Sequence, residues 1–235
     1  MRIDVITAFP EYFRGPFGES MIRQARRRVG LEINLWDLRD FTHDAHRTVD
    51  DTPYGGGAGM VMKPEPFFEA LEYLFGQGLP REQTKIIYPS PQGKVFTNRV
   101  AQKLAQEKSL VFLCGHYKGI DQRVIDYWVD EEISIGDYVL TGGELATVVI
   151  VDAVIRWIPG VVGDIESVKS DSFEGDLLDA PYYTRPELYR GLKVPDVLRS
   201  GNHQAIERWR LEKRIEKTRA VRPDLYRKFV EKNKL

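Results

Sequence analysis

The sequence predicts an α/β protein in which a mostly parallel sheet carries helices on both faces and is followed by a small helical piece. Three observations carry that prediction. Over the first 160 residues, short β-rich apolar runs alternate with helical patterns, as strand–helix–strand repetition requires. A polar, acidic stretch at 163–178 then shows neither helical nor strand period. The remainder is helical in pattern and strongly basic.

In chain order, strands are expected at residues 3–7, 32–36, 85–88, 110–114 and 132–135, each a short run of apolar and β-branched residues. Between them, 3.6-residue periodicity places helices at 19–29, 66–75, 98–107 and 122–127, and a long apolar one at 144–157 that Pro159-Gly160 stops. Pro181, Pro186 and Pro195 punctuate a segment with Tyr182, Tyr183 and Tyr189, before helices at 204–220 and 223–233. Three parts follow: residues 1–162, a flexible linker at 163–178, and a helical part at 179–235. No internal repeat or low-complexity tract interrupts them.

With 235 residues and 42% apolar content, the chain can bury one good-sized core plus a small satellite. It has no run of eighteen apolar residues, and Met1-Arg2-Ile3-Asp4-Val5-Ile6 lacks the pattern of a secretion signal, so a cytoplasmic protein is expected. The single cysteine, Cys114, excludes an intrachain disulfide and any zinc site of several thiolates. It ends an apolar strand and reads as a core thiol. The net charge of −1 hides an asymmetry: residues 201–235 carry eleven Lys and Arg against five Asp and Glu, a net of +6, which leaves −7 on the first 200. Arg23, Arg26, Arg27 and Arg28 form a second positive cluster, and cations grouped in this way can neutralise phosphates.

Glycines concentrate at the ends of the expected strands, where open α/β sheets bind ligands. The segments are Tyr88-Pro89-Ser90-Pro91-Gln92-Gly93, Cys114-Gly115-His116-Tyr117-Lys118-Gly119, and Ile135-Gly136-Asp137-Tyr138-Val139-Leu140-Thr141-Gly142-Gly143-Glu144. Such loops suit an adenosine read by main-chain groups. None of them is G-x-G-x-x-G, and no phosphate loop ends in Gly-Lys-Ser/Thr, which argues against dinucleotides and nucleoside triphosphates. The run Asp50-Asp51-Thr52-Pro53-Tyr54-Gly55-Gly56-Gly57-Ala58-Gly59-Met60 reads as a substrate-facing loop. His43, Asp44, His46, Asp50 and Asp51 cluster, but in no familiar zinc spacing, so no protein-ligated metal is expected.

These strings, with Ser170-Asp171-Ser172-Phe173, Pro181-Tyr182-Tyr183-Thr184-Arg185-Pro186 and Leu198-Arg199-Ser200-Gly201-Asn202-His203, resemble the motifs of bacterial tRNA (guanine-N1)-methyltransferases of the TrmD type, in the SPOUT class. The resemblance runs over essentially the whole chain. It implies a trefoil knot in the sheet domain and S-adenosyl-L-methionine as methyl donor. It also implies a homodimer whose active sites are shared between subunits, and a target guanosine just 3′ of the tRNA anticodon, position 37, whose methylation helps maintain the reading frame. The family's dependence extends the expectation to magnesium.

Guanine N1 can attack the donor's methyl only after losing its proton, so a general base is needed, and Asp171 matches the family's catalytic aspartate. Arg156 matches the arginine that stabilises the negative charge developing on O6. Carried over by position, the donor site comprises Tyr88, Pro89, Ser90, Pro91, Gly115, Tyr117, Ile135, Gly136, Asp137, Tyr138, Val139, Leu140, Gly142 and Gly143. Asp50 and Gly59 match contacts to the target guanine, and Gly201, Asn202, His203, Arg208 and Arg210 are candidates for holding the anticodon arm. Trp209 is expected to pack the small core. One position departs from the pattern: the family usually has glutamate after the tyrosine of the second loop, and this chain has Lys118, a cation that would repel the donor's sulfonium unless it points away.

Two rivals stay open at the level of residues. A non-catalytic RNA-binding module would use the basic tail alone, and a 2′-O-ribose methyltransferase would use a similar knotted domain on a sugar oxygen.

Overall fold

Strand β1 (Arg2–Thr7) shows why a two-faced sheet forms: Ile3 and Val5 face one way and Ile6 the other, and all three are fully buried. The computed structural model describes residues 1–233. After β1 come α1 (Ser20–Val29), β2 (Glu32–Asp37), the short strands β3 (Asp50–Asp51) and β4 (Val61–Met62), α2 (Pro64–Gly76), β5 (Thr84–Val95), α3 (Asn98–Leu104), β6 (Ser109–Leu113), α4 (Gln122–Trp128), β7 (Glu131–Ser134) and α5 (Glu144–Ile155). Five strands make one sheet in the order β2-β1-β6-β5-β7, with every neighbouring pair parallel.

Alternation along the strands sorts the helices into two layers. Ile3, Val5, Leu110 and Phe112 pack with Ile22, Ala25, Leu104, Ile150 and Val154, which brings α1, α3 and α5 to one face. Ile6, Val111 and Leu113 pack with Phe67, Leu71, Leu74 and Val124, which brings α2 and α4 to the other. Each such Leu, Ile or Phe contributes roughly 1.5–3 kcal/mol on burial.

All five expected strands are present, with two differences that bear on function. The strand expected at 85–88 continues to Val95, and Pro89 and Lys94 both sit opposite Ile133, so residues 90–93 bulge out of the sheet. The glycine-rich run after Asp50 is the connection of an antiparallel pair, with Asp50 opposite Met62 and Asp51 opposite Val61. Alternation could not show either, because one is a four-residue excursion and the other pairs strands of two residues each.

The chain divides into two compact units, Met1–Gly163 and Asp164–Leu235. The second holds α6 (Ile165–Lys169), the antiparallel pair β8 (Leu188–Tyr189) and β9 (Leu192–Lys193), α7 (His203–Val221) and α8 (Pro223–Asn233). The stretch expected as a linker, 163–178, therefore contains a helix, and from Asp164 onward it groups with this unit, with Val168 and Leu177 buried. Its backbone is held from α7: Arg214 donates to the carbonyls of Leu178 and Glu174, and the Leu178 N–H donates to buried Thr218 at 2.8 Å. A five-residue helix is too short to show a period, and its partners lie some forty residues away, so composition alone read it as free.

Candidate active site

Parallel strands end on the same edge of a sheet, and three segments leaving those ends enclose a cavity of about 340 Å³. They are the β5 bulge, the loop after β6 and the loop after β7. Thirteen of the fourteen residues expected at a donor site line it; Asp137 is outside the lining and exposed. Lining residues outside those fourteen include Gln92, His116, Lys118, Glu132 and Thr141. Burial pushes the Tyr88 phenol pKa above its ordinary value and keeps the hydroxyl neutral.

Two of the glycines are required by the packing of the protein itself. A side chain at Gly93 would collide with the Glu132–Ile133 backbone of β7, so the bulge can close only on glycine. One at Gly142 would collide with the His116 ring and the Glu144 carboxylate. Both permit close approach of protein to protein, and the cavity's shape follows from that.

Beneath Gly142 lies a polar cluster that sequence reasoning missed. Glu144, 2% exposed in the first turn of α5, accepts from Thr7 Oγ1 at 2.6 Å through one oxygen and pairs with His116 Nε2 at 2.8 Å through the other. A buried carboxylate needs such partners, and a helix N-terminus favours its charge. Thr7 stands 137 residues from Glu144 in the chain, so no local motif joins them. The only sequence signal was an acid at the head of a mostly apolar helix.

The hairpin bearing Asp50 and Gly59 is joined to the loop after β6. Lys118 N–H donates to Met60 O, and Met62 N–H donates to Gly119 O, both at 3.0 Å. Asp50 raises the pKa of the Tyr117 phenol, chiefly through its charge, so the hairpin's acid lies close to a tyrosine that lines the cavity. The Lys118 stem lies against Gly59, where a Cβ would come within 3.1 Å of Cγ, and Lys118 also lines the cavity.

Arg156 caps the C-terminus of α5, half-buried in the first unit; Asp171 is half-buried in the second, its N–H on Val168 O. Asn202 caps α7, its Oδ1 accepting from the Ala205 N–H at 3.1 Å, with Gly201 before it at φ +69° and exposed His203 after it. Arg208 and Arg210 border a second cavity of about 540 Å³ with Tyr182, Asp179 and Leu211. Trp209 is half-buried, its ring 6.4 Å from that of Tyr183.

Among the described residues no three His, Cys, Asp or Glu side chains are grouped to hold a metal ion. The His43–Asp51 cluster resolves into separate contacts: His43 pairs with Glu69, and hydrogen bonds from Thr48 hold the Asp44 carboxyl below its usual range. The cavity lining includes the cationic Lys118 and, among the described residues, no group of carboxylates or imidazoles, so the residues present do not fit a protein-ligated magnesium ion. Cys114 is buried beside Thr147, and burial raises its thiol pKa well above the ordinary value, which disfavours a thiolate nucleophile. No helix among the described residues is long and apolar enough to cross a membrane.

A family profile described as tRNA (Guanine-1)-methyltransferase TrmD matches residues 1–228. The chain is 50% identical to the tRNA (guanine-N(1)-)-methyltransferase of Dictyoglomus turgidum over 228 residues, covering 97% of this chain and 91% of that protein. It is 52% identical to that of Protochlamydia amoebophila over 225 residues, with 96% and 99% coverage, and 51% identical to that of Brevibacillus brevis over 229, with 97% and 93%. The chain is an enzyme, and it belongs to the tRNA (guanine-1)-methyltransferase TrmD family.

Proposed function

We propose that this enzyme transfers a methyl group from S-adenosyl-L-methionine to N1 of the guanosine at tRNA position 37, immediately 3′ of the anticodon, and so helps maintain the reading frame. The observation that carries the reading is the cavity enclosed by three strand-end loops, lined by thirteen of the residues expected to hold the donor. When bound, that donor supplies an electrophilic methyl on a sulfonium. The protein's work is to free the nucleophile and hold it in line. Asp171 takes the N1 proton, Arg156 balances the charge that then develops on O6, and Asp50 accepts from the guanine's donor edge. The anticodon arm is held by Arg208, Arg210 and the Gly201-Asn202-His203 turn, with phosphate contacts positioning and base contacts specifying.

The remainder of the reading concerns architecture. Residues 1–162 form a trefoil-knotted donor domain, 179–235 a tRNA-binding domain, and 163–178 the connection that presents Asp171. Two chains associate and share their active sites. The apolar face of α5, with Leu145 and Val149 half exposed, supports an association surface. The deciding experiment is methyl transfer to tRNA transcripts with and without guanosine 37, followed by digestion and identification of the modified nucleoside. Transfer to guanine N1 in the first transcript only is expected. Asp171→Ala should lower turnover by about 100-fold or more, the scale of a lost general base. Methyl on a ribose oxygen, or full turnover by Asp171→Ala, would overturn the reading.

A further inference from the structure

We infer that Thr7, Glu144 and His116 form a buried positioning chain that holds the wall shared by the donor cavity and the guanine-facing hairpin, so that Glu144 acts on both binding sites through His116. The inference rests on the assignment of those two sites made above.

The chain has one consistent direction of donation. The Phe9 N–H donates to Thr7 Oγ1 at 2.9 Å, and the hydroxyl proton goes to Glu144 Oε1 at 2.6 Å. The second carboxylate oxygen takes the Nε2–H of His116 at 2.8 Å, and the Phe9 ring packs on the imidazole with centroids 4.6 Å apart. Thr7 is fully buried and Glu144 nearly so, yet His116 lines the cavity, so the chain begins in the core and ends at the ligand wall. A well-packed apolar residue at the head of α5 would often be as stable as a buried, paired acid, so stability alone does not call for glutamate here.

From His116 outward the wall is tied to the hairpin. The His116 N–H donates to Met62 Sδ at 3.1 Å, and the next backbone links are Lys118 to Met60 and Met62 to Gly119. Met62 is the residue opposite Asp50. Between these ties Tyr117 is held at φ +57°, a conformation that a bulky residue seldom adopts unless its surroundings impose it. His116 also bridges to Gly142 in the loop after β7, the position where any side chain would displace the imidazole or the carboxylate. Loosening His116 therefore loosens the donor cavity and the seat of Asp50 together.

The test measures kcat and the KM for donor and for tRNA separately, with thermal unfolding in parallel, for wild type, Thr7→Val, Thr7→Ser and Glu144→Gln. Thr7→Val keeps shape and removes the hydroxyl; Thr7→Ser keeps the hydroxyl. Thr7→Val and Glu144→Gln are expected to raise both KM values about tenfold, as loss of a hydrogen bond to a charged group implies, with a smaller change in kcat. Thr7→Ser should restore both. Wild-type KM values in Thr7→Val, a change confined to one substrate, or losses that Thr7→Ser does not rescue would overturn the inference. If Glu144→Gln does not fold, the Thr7 pair alone decides. A wild type that puts no methyl on guanine N1 would instead overturn the functional reading, with the inference falling alongside it.

Discussion

Lys118 lines a cavity proposed to receive a sulfonium, and its alkyl stem lies against Gly59. For an exposed group the Coulomb cost is small, so the protein tolerates it, but reversing the charge should register. Lys118→Glu is expected to tighten donor binding about fivefold in calorimetric titration, a gain that shrinks as salt is added. Unchanged affinity would mean that the ammonium points away from the bound donor. Cys114 makes the opposite case, a reactive residue type made inert by its surroundings. With the thiol buried and its pKa well raised by desolvation, Cys114→Ala should retain turnover. An essential thiol would show itself as complete loss of activity in that variant.

The start of α7 carries two duties that substitution can separate. Asn202 caps the helix through Ala205, and it also sits in the turn proposed to touch the anticodon arm. Asn202→Ala should cost about 1 kcal/mol of stability, whereas Asn202→Asp keeps the cap while setting a negative charge against phosphate. Normal thermal unfolding with a raised KM for tRNA in Asn202→Asp is the expected pair of results; normal KM values in both variants would confine Asn202 to capping. Sequence reasoning succeeds where the signal is local: β1 and β6 were legible because their buried residues follow one another in the chain, while the Asn202 cap, equally local, went unread and the helix was expected to start at 204. The 90–93 bulge and the Thr7–Glu144–His116 chain were not legible, since each is defined by contacts between segments far apart in sequence. The glycine-rich strand ends were legible as cavity walls, but the packing that requires Gly93 and Gly142 was not, because the atoms they approach belong to other segments of the chain.

At the scale of the whole molecule, charge and apolar surface are divided between different parts of the chain. The last 35 residues hold a net of +6, while α5 is apolar apart from Glu144, Thr147 and Asp152. One side of that helix is accounted for by Ile150, Val151, Val154 and Ile155 in the core. Leu145 and Val149, four residues apart and therefore on one stripe, remain 49% and 48% exposed. With exposed Asp152 at the end of the stripe, these two side chains leave an apolar patch that a second copy of the same chain would bury symmetrically. The expected outcome is a dimer in sedimentation equilibrium for wild type and a monomer for the double variant Leu145→Lys, Val149→Lys, with an unaltered circular dichroism spectrum. Because the proposed active sites are shared, the monomer should also lose methyl transfer while its basic tail still binds tRNA. A wild-type chain that sediments as a monomer at working enzyme concentration, or a double variant that stays dimeric and active, would remove α5 from the interface and return the exposed stripe to ordinary surface.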